Sequence, residues 1–183
     1  MPNSQEIPDP ATLHRQGAPA KVRFGVITIS TSRAQDPHIK NLTIELLAPL
    51  LKEFGHELVT QNTVPDNLET IQSLIKQLIH DNSMDALILT GGTGIAASDV
   101  TIEAVRPLFA KELSAFGSIF AWLSYEQVRS AVILSRATAG IIEDKPVFVL
   151  PGSPKAVQLA FQKIILPEIG HILNLCRQEH EER

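Results

Sequence analysis

Residues 88–99, Ile-Leu-Thr-Gly-Gly-Thr-Gly-Ile-Ala-Ala-Ser-Asp, combine the backbone and side-chain features best suited to hold a phosphorylated ligand. Gly91, Gly92 and Gly94 carry no Cβ to keep a bulky anion from the main chain, so a turn here can aim several N–H groups one way. A helix opening beyond the turn would add the partial positive charge of its first turn. Thr93 and Ser98 contribute hydroxyls, and Asp99 a carboxylate able to hold Mg²⁺. The plain alternative is a tight corner after a buried strand. A Walker loop is excluded because no Gly-Lys-Ser/Thr follows. Gly92, Gly94 and Ala97 fit the dinucleotide fingerprint formally, but that fingerprint follows the first strand of its domain, and two strand candidates precede this one.

Two carboxylates stand beside proposed anion sites, Asp66 and Asp99. Each has a capping alternative, because Asp66 precedes Leu68-Glu69 and Asp99 precedes Val100-Thr101. Next to phosphate a carboxylate needs a cation such as Mg²⁺ to offset the repulsion. The six histidines are dispersed and Cys176 is alone, which leaves no structural zinc site and no disulfide within the chain. No Gly-x-Ser-x-Gly elbow supports a serine hydrolase.

The elements that must position these groups follow from periodicity. Val22–Ile29 reads as a strand, with Ser30–Arg33 as its closing loop. Leu42, Leu46, Leu50 and Phe54 repeat at helical spacing until Gly55 stops the helix, with Pro49 as a kink position. His56–Val64 reads as a strand, Pro65-Asp66-Asn67 as a cap, and Leu68 to Ile79 as an amphipathic helix. Ala86–Thr90 has the continuous apolar pattern of a strand buried on both faces. A short helix holds Thr101 and Glu103 before Pro107, and a longer one spans Phe116–Val128, with Phe116, Ile119, Phe120 and Leu123 facing the core. Ala131–Leu134, Ala139–Ile142 and Val147–Leu150 are strand-like, the last two joined through Glu143-Asp144-Lys145-Pro146 as a hairpin. Pro151-Gly152-Ser153-Pro154 makes a second sharp strand-to-helix turn, and a helix restarts near Pro167 and runs to about Arg177.

Alternating strands and helices imply a mainly parallel sheet covered on both faces, with ligands outside the carboxyl ends of the strands. The loops after Ile29, Val64, Leu89 and Leu150 would then share one rim. At 183 residues the chain is the size of one domain, which buries roughly 70% of its unfolded surface. Residues 1–20 read as a flexible tail, 21–178 as the domain, and 179–183 as a frayed end. A net charge of −4 without a basic cluster gives no nucleic-acid footprint. No apolar run reaches a membrane span, and a lone thiol fits a cytoplasmic protein.

Gly91-Gly92-Thr93-Gly94 with Asp99-Val100-Thr101 and Glu103-Ala104 resembles the signature of the MoaB/Mog family, the molybdopterin adenylyltransferases of molybdenum cofactor synthesis. Val64-Pro65-Asp66, Phe116-Gly117, Leu123-Ser124-Tyr125-Glu126, Leu134-Ser135-Arg136-Ala137 with Ala139-Gly140, Leu150-Pro151-Gly152-Ser153 and Ile165-Leu166-Pro167-Glu168 follow in family order across residues 22–175. The resemblance implies a single-domain three-layer α/β/α sandwich, a mainly parallel sheet with a small hairpin. It also implies transfer of AMP from Mg-ATP to the terminal phosphate of molybdopterin with release of pyrophosphate. On that resemblance Gly91, Gly92, Thr93, Gly94 and Ser98 form the phosphate cradle, and Asp99 takes the metal or transition-state position. Asp66 matches a second family acid, and Ser135 with Pro151, Gly152 and Ser153 lines the pterin side. A homotrimer or hexamer is implied, with Trp122, Tyr125 and Arg129 as contact residues and the pathway's metal-insertion enzyme as a candidate partner.

The chain departs from the family pattern at Thr31 and Ser118, where the family has acids, at Ala121, where it has arginine, and at Lys40-Asn41, where it has Ser-Gly. These departures set up a second reading, a weakly active or non-catalytic molybdopterin-binding paralogue with reduced Mg²⁺ dependence. A third, a dinucleotide-dependent oxidoreductase, rests on the formal glycine fingerprint alone.

Overall fold

A computed structural model describes residues 19–181. The tail expected over 1–20 lies outside the described residues except for its last two, as do positions 182 and 183 of the expected frayed end. Six strands form one sheet in the order β2-β1-β3-β6-β5-β4. Its parallel part is β1 (Arg23–Ile29), β2 (Glu57–Val64), β3 (Ala86–Thr90) and β6 (Lys145–Leu150). The edge made by β4 (Lys111–Glu112) and β5 (Thr138–Ile142) is antiparallel.

Side chains alternate between the two faces of the central strands, and the two hydrophobic clusters follow that alternation. Phe24, Val26, Ile88, Phe148 and Leu150 pack on one face against α2 (Leu42–Glu53), α5 (Ala115–Val128), α6 (Pro154–Ala160) and α7 (Leu166–Glu181). Ile27, Ile29, Leu87, Leu89 and Val149 pack on the other face against α3 (Leu68–Ile79) and α4 (Thr101–Val105). The result is the expected three-layer α/β/α sandwich. Because β2 lies on one side of β1 and β3 on the other, strand order reverses between β1 and β3. In open α/β sheets the crevice at such a reversal is where ligands bind.

Local chemistry explains most boundaries. Asn67 caps α3 by accepting from Thr70 N–H at 2.8 Å, and Gly55 follows the end of α2 with φ +80°. Pro49 lies inside α2, which continues past it to Glu53. A π turn at Phe161–Ile165 joins α6 to α7, placing Pro167 in a fresh first turn where its missing N–H is tolerated. The helix runs on to Glu181 rather than ending near Arg177.

Four expectations are corrected. Ser30–Arg33 is not simply a loop: Ser30 caps a short helix, α1 (Thr31–Gln35). Ala131–Leu134 is no strand but part of a 3₁₀ segment, Arg129–Leu134, because a short apolar run does not fix a period by itself. The hairpin turn is only Glu143-Asp144, with Glu143 at φ +56°; Lys145 and Pro146 already belong to β6, where Pro146 precedes the first residue paired with β3. Ile119 is exposed instead of facing the core; Phe116, Phe120 and Ser124, spaced by four, form the buried row of α5.

Candidate functional site

The site grows from the end of β3. Gly91 and Gly92 have φ of +106° and +60°, a region that side-chain-bearing residues rarely adopt. A Cβ on Gly91 would overlap Ile29 O, and one on Gly92 would overlap Thr101 Oγ1. The loop is therefore wedged against the end of β1 at the strand-order reversal. Thr101 fixes it from below, donating its hydroxyl to Gly91 O at 2.8 Å and its N–H to Gly92 O at 3.1 Å.

Arg136, a residue to which sequence reasoning gave no role, clasps the loop from the side. Its Nε donates to Gly94 O at 2.8 Å, its backbone N–H to Thr93 O at 3.2 Å and its Nη2 to Asp99 O at 3.0 Å. The same guanidinium makes a two-pronged pair with Glu103, and that hydrogen bond holds the Glu103 carboxyl below the usual carboxylate range. With the Thr93 and Gly94 carbonyls turned onto Arg136, the N–H groups of Gly92, Thr93 and Gly94 donate to no acceptor among the described residues. Gly91 differs, since its N–H is spent on Leu150 O at 3.1 Å. Its part is to shape the turn rather than to donate. The signal for Arg136 lay in the quoted Ser135-Arg136 motif, but nothing in spacing could show its reach across the chain.

Neither carboxylate is a helix cap. Asn67 takes that place on α3, and Val100 precedes α4 without any side-chain cap bond. Asp66 Oδ2 instead accepts from Thr31 N–H at 2.9 Å and Thr31 Oγ1 at 2.8 Å, and Asp66 N–H returns a bond to the Thr31 hydroxyl at 3.1 Å. Its Oδ1 faces the Gly92 position, 3.0 Å from where a Cβ would stand. Asp99 Oδ2 accepts from Ala96 N–H at 2.9 Å and lies 2.7 Å from the place of a Gly94 Cβ. Each acid thus commits one oxygen to holding its loop and keeps the other.

The second turn closes the rim. Thr90 Oγ1 donates to Pro151 O at 3.0 Å, Thr43 Oγ1 to Gly152 O at 3.4 Å, and a Cβ on Gly152 would stand 3.4 Å from Gly91 Cα. Ser30 N–H meets Val64 O at 2.9 Å. The four loops therefore share one rim, as strand polarity implied. Asp66, Gly91, Gly92, Thr93, Gly94, Asp99, Pro151 and Gly152 come together there. Ser153 is exposed at the start of α6, and Ser98 is exposed on the loop with no hydrogen bond among the described residues. Ser135 lies beside the rim, in the wall of a cavity of about 770 Å³ between α5 with its 3₁₀ extension and α6, which Pro151 and Ser153 also border.

Among the departures from the family pattern, Asn41 caps α2 and donates to Thr28 Oγ1 at 2.8 Å, while Lys40 is exposed and gives only its carbonyl, to Arg33. Ser118 and Ala121 do not line the cavity. Among the described residues no group of three or more His, Cys, Asp or Glu forms a metal cage, and no helix is long and apolar enough to cross a membrane. A divalent cation that kept several waters and took most of its ligands from a polyphosphate would need only the one or two carboxylates present.

Fold and rim together define a class: a doubly wound α/β domain with a glycine turn flanked by two acids at its strand-order reversal. Comparison with known proteins narrows it. The family described as a probable molybdopterin binding domain matches residues 25–171. Molybdenum cofactor biosynthesis protein B of Bacillus subtilis (strain 168) is 44% identical over 167 residues, 91% of this chain and 96% of that protein. A probable molybdopterin adenylyltransferase of Methanocaldococcus jannaschii is 40% identical, over 86% of this chain and 95% of the other. A crystal structure of a molybdenum cofactor biosynthesis protein B superposes with a TM-score of 0.82 at 42% identity, covering 88% of this chain and 99% of that one. The chain belongs to the molybdopterin-binding domain family, in its MoaB/Mog group.

Proposed function

We propose that this protein is a molybdopterin adenylyltransferase. An oxygen of the terminal phosphate of molybdopterin attacks the α-phosphorus of ATP; the new P–O bond forms as the bond to the bridging oxygen breaks, and pyrophosphate leaves with that electron pair. Such a transfer asks a protein mainly for positioning and charge neutralisation. The observation that carries the reading is the loop in which the N–H groups of Gly92, Thr93 and Gly94 meet no acceptor among the described residues, while Arg136 holds the Thr93 and Gly94 carbonyls and Thr101 N–H holds that of Gly92.

In this reading the three N–H groups bind phosphate oxygens, and the close approach they require depends on the missing Cβ atoms at Gly92 and Gly94. Mg²⁺ entering with ATP would neutralise phosphate charge. Asp99 and Asp66 fit it as the one or two carboxylates it needs, each offering the oxygen not already bonded to its own loop. Thr31 keeps Asp66 turned toward the loop, and Ala96 N–H keeps Asp99 in place. Ser135, Pro151 and Ser153 serve the acceptor side.

The test is pyrophosphate release from purified protein given molybdopterin and ATP, with Asp99→Asn alongside. Asparagine retains an oxygen for Ala96 N–H, so the variant should fold with an unchanged melting temperature while turnover falls by orders of magnitude. Release at the parental rate would remove Asp99 from the mechanism. A parent that binds molybdopterin and ATP but releases no pyrophosphate would be the binding paralogue.

A further inference from the structure

Four consecutive carbonyls of the glycine loop are held, and two residues do the holding. Thr101 gives its hydroxyl to Gly91 O at 2.8 Å and its N–H to Gly92 O at 3.1 Å. Arg136 gives its N–H to Thr93 O at 3.2 Å and its Nε to Gly94 O at 2.8 Å. In a trans peptide the carbonyl of one residue and the N–H of the next share a rigid plane and point opposite ways, and these peptides are all trans. Each held carbonyl therefore aims the following N–H away from its holder. Thr101 aims those of Gly92 and Thr93, and Arg136 those of Gly94 and Ile95. None of the four meets an acceptor among the described residues.

The two halves differ in what else keeps them in place. Gly91 is wedged against Ile29 O and Gly92 against Thr101 Oγ1, so the inner half is fixed by packing as well. Gly94 flanks both planes of the outer half, and glycine tolerates either sign of φ. Ile95 is 70% exposed, and the Thr93 and Gly94 carbonyls accept from no residue but Arg136 among those described. Without Arg136 these planes can turn over, which replaces a donor by a carbonyl that repels an anion. Arg136 is itself tethered: its fork pairs with Glu103, and Nη2 also donates to Asp99 O at 3.0 Å. Glu103 lies two residues beyond Thr101 in α4, so both anchors rest on one short helix.

The N–H groups from Gly92 to Ile95 extend along as much as about 10 Å of chain, more than the oxygens of one phosphate group span. We propose that Arg136, tethered by Glu103, is the positioning residue for the outer half of the loop: it turns the Gly94 and Ile95 N–H groups to a second phosphate and so sets a preference for polyphosphate over a lone phosphate, while Thr101 serves the first. The inference deepens the adenylyl-transfer reading and rests on it, since ATP and the pyrophosphate it releases are the polyphosphates concerned. In this role Arg136 touches no phosphate; its donors are spent on carbonyls and on Glu103.

The test is equilibrium binding without turnover. Pyrophosphate and inorganic phosphate are titrated into the full chain and into Arg136→Met, Arg136→Lys and Glu103→Ala, with melting temperatures alongside. Arg136→Met keeps the aliphatic bulk and removes the fork, so pyrophosphate should weaken about tenfold or more and inorganic phosphate less than about threefold. Arg136→Lys should lose nearly as much, because an ammonium keeps the charge but not the fork. Glu103→Ala should lower the ratio of the two affinities about threefold, although by charge alone the loss of an acid would favour the more highly charged pyrophosphate. In amide spectra of the parent, pyrophosphate should move Gly94 and Ile95 as well as Gly92 and Thr93; in Arg136→Met only the inner pair should move.

The proposal is overturned if the parent shows no preference for pyrophosphate, or if both anions weaken in equal proportion, the mark of a merely structural role. It is also overturned if Arg136→Lys binds as the parent does, which would make Arg136 a charge rather than a clasp. Should Arg136→Met not fold, Glu103→Ala decides by the same ratio, and a parental value overturns the proposal. The two readings fail separately: no pyrophosphate release from molybdopterin and ATP, with the Arg136-dependent preference intact, removes the transfer and keeps the positioning, whereas release with an unchanged preference in every variant removes only the positioning.

Discussion

Thr31 stands where the family pattern has an acid, and its side chain gives a physical reason to regard it as more than a loss. Its hydroxyl accepts from Asp66 N–H and donates to Asp66 Oδ2, while its N–H donates to the same oxygen. An acid at this position would place a second carboxylate against the first. Thr31→Asp is therefore expected to lower stability by about 1 kcal/mol, with no gain in Mg²⁺-dependent AMP transfer. Urea denaturation and pyrophosphate release would check both parts, and a faster variant would restore the view that the departure weakens the site. Arg136 shows the complementary case. Its fork meets three carbonyls and one carboxylate at once, a geometry that lysine does not reproduce.

The glycine loop works as an element because its backbone conformation, not any side chain, aims the donors. Gly92 has positive φ and faces Thr101 Oγ1 and Asp66 Oδ1, so Gly92→Ala is strained by conformation and by contact together. The expected cost is at least about 1 kcal/mol, with phosphate affinity reduced more than tenfold, measurable by thermal unfolding and pyrophosphate titration. Elements of strong period were legible in sequence: Ala86–Thr90 was read with the bounds it has, and the stripe of α3 lies buried at Ile71, Ile75, Leu78 and Ile79. Elements of weak period were not. Residues 131–134 lack a partner strand, and α1 is a single short helix whose apolar content is too small to show a face.

At the scale of the molecule, α5 and its extension leave a large apolar surface uncovered. Trp122 is 71% exposed, Tyr125 51% and Ile133 81%, with Ile119 and Val128 beside them. Patches of this kind with aromatic anchors mark interfaces, and we propose that this one joins protomers into a trimer or hexamer. Light scattering at micromolar concentration should give a mass well above 20.0 kDa, and Trp122→Glu should shift it toward the monomer; a parent that stays monomeric would exclude the assembly. A second whole-molecule property is acid sensitivity. Burial pushes the His56 imidazole below its ordinary value, and its Nδ1 accepts from Val22 N–H at 3.3 Å, which needs the neutral ring. The unfolded chain therefore binds the proton more readily than the folded one. The stability gained by keeping His56 neutral is complete above the ordinary histidine value of about 6.5 and is lost progressively as pH falls below it. Denaturation midpoints between pH 7.5 and 5.5 should decline, with a shallower slope in His56→Gln.

The sequence by itself determined the four parallel strands and β5, the two glycine turns, the acids beside them and the family, because short-range periodicity, turn chemistry and ordered motifs are all local properties of the chain; β4, only Lys111–Glu112, was too short to show a period. Only the tertiary structure decided what each of those residues does. Asp66 and Asp99, for which the sequence left capping open beside a role at the ligand, are loop braces because their partners, Thr31 and Ala96, are set by a chain crossing and a loop closure rather than by helix starts. Arg136 becomes the clasp of a loop more than forty residues earlier, and Gly91 loses its donor to Leu150. The pairings of Thr31 with Asp66, Arg136 with its loop and Gly91 with Leu150 depend on how the elements pack over the strand-order reversal, and no short window of sequence contains both partners of any of these three.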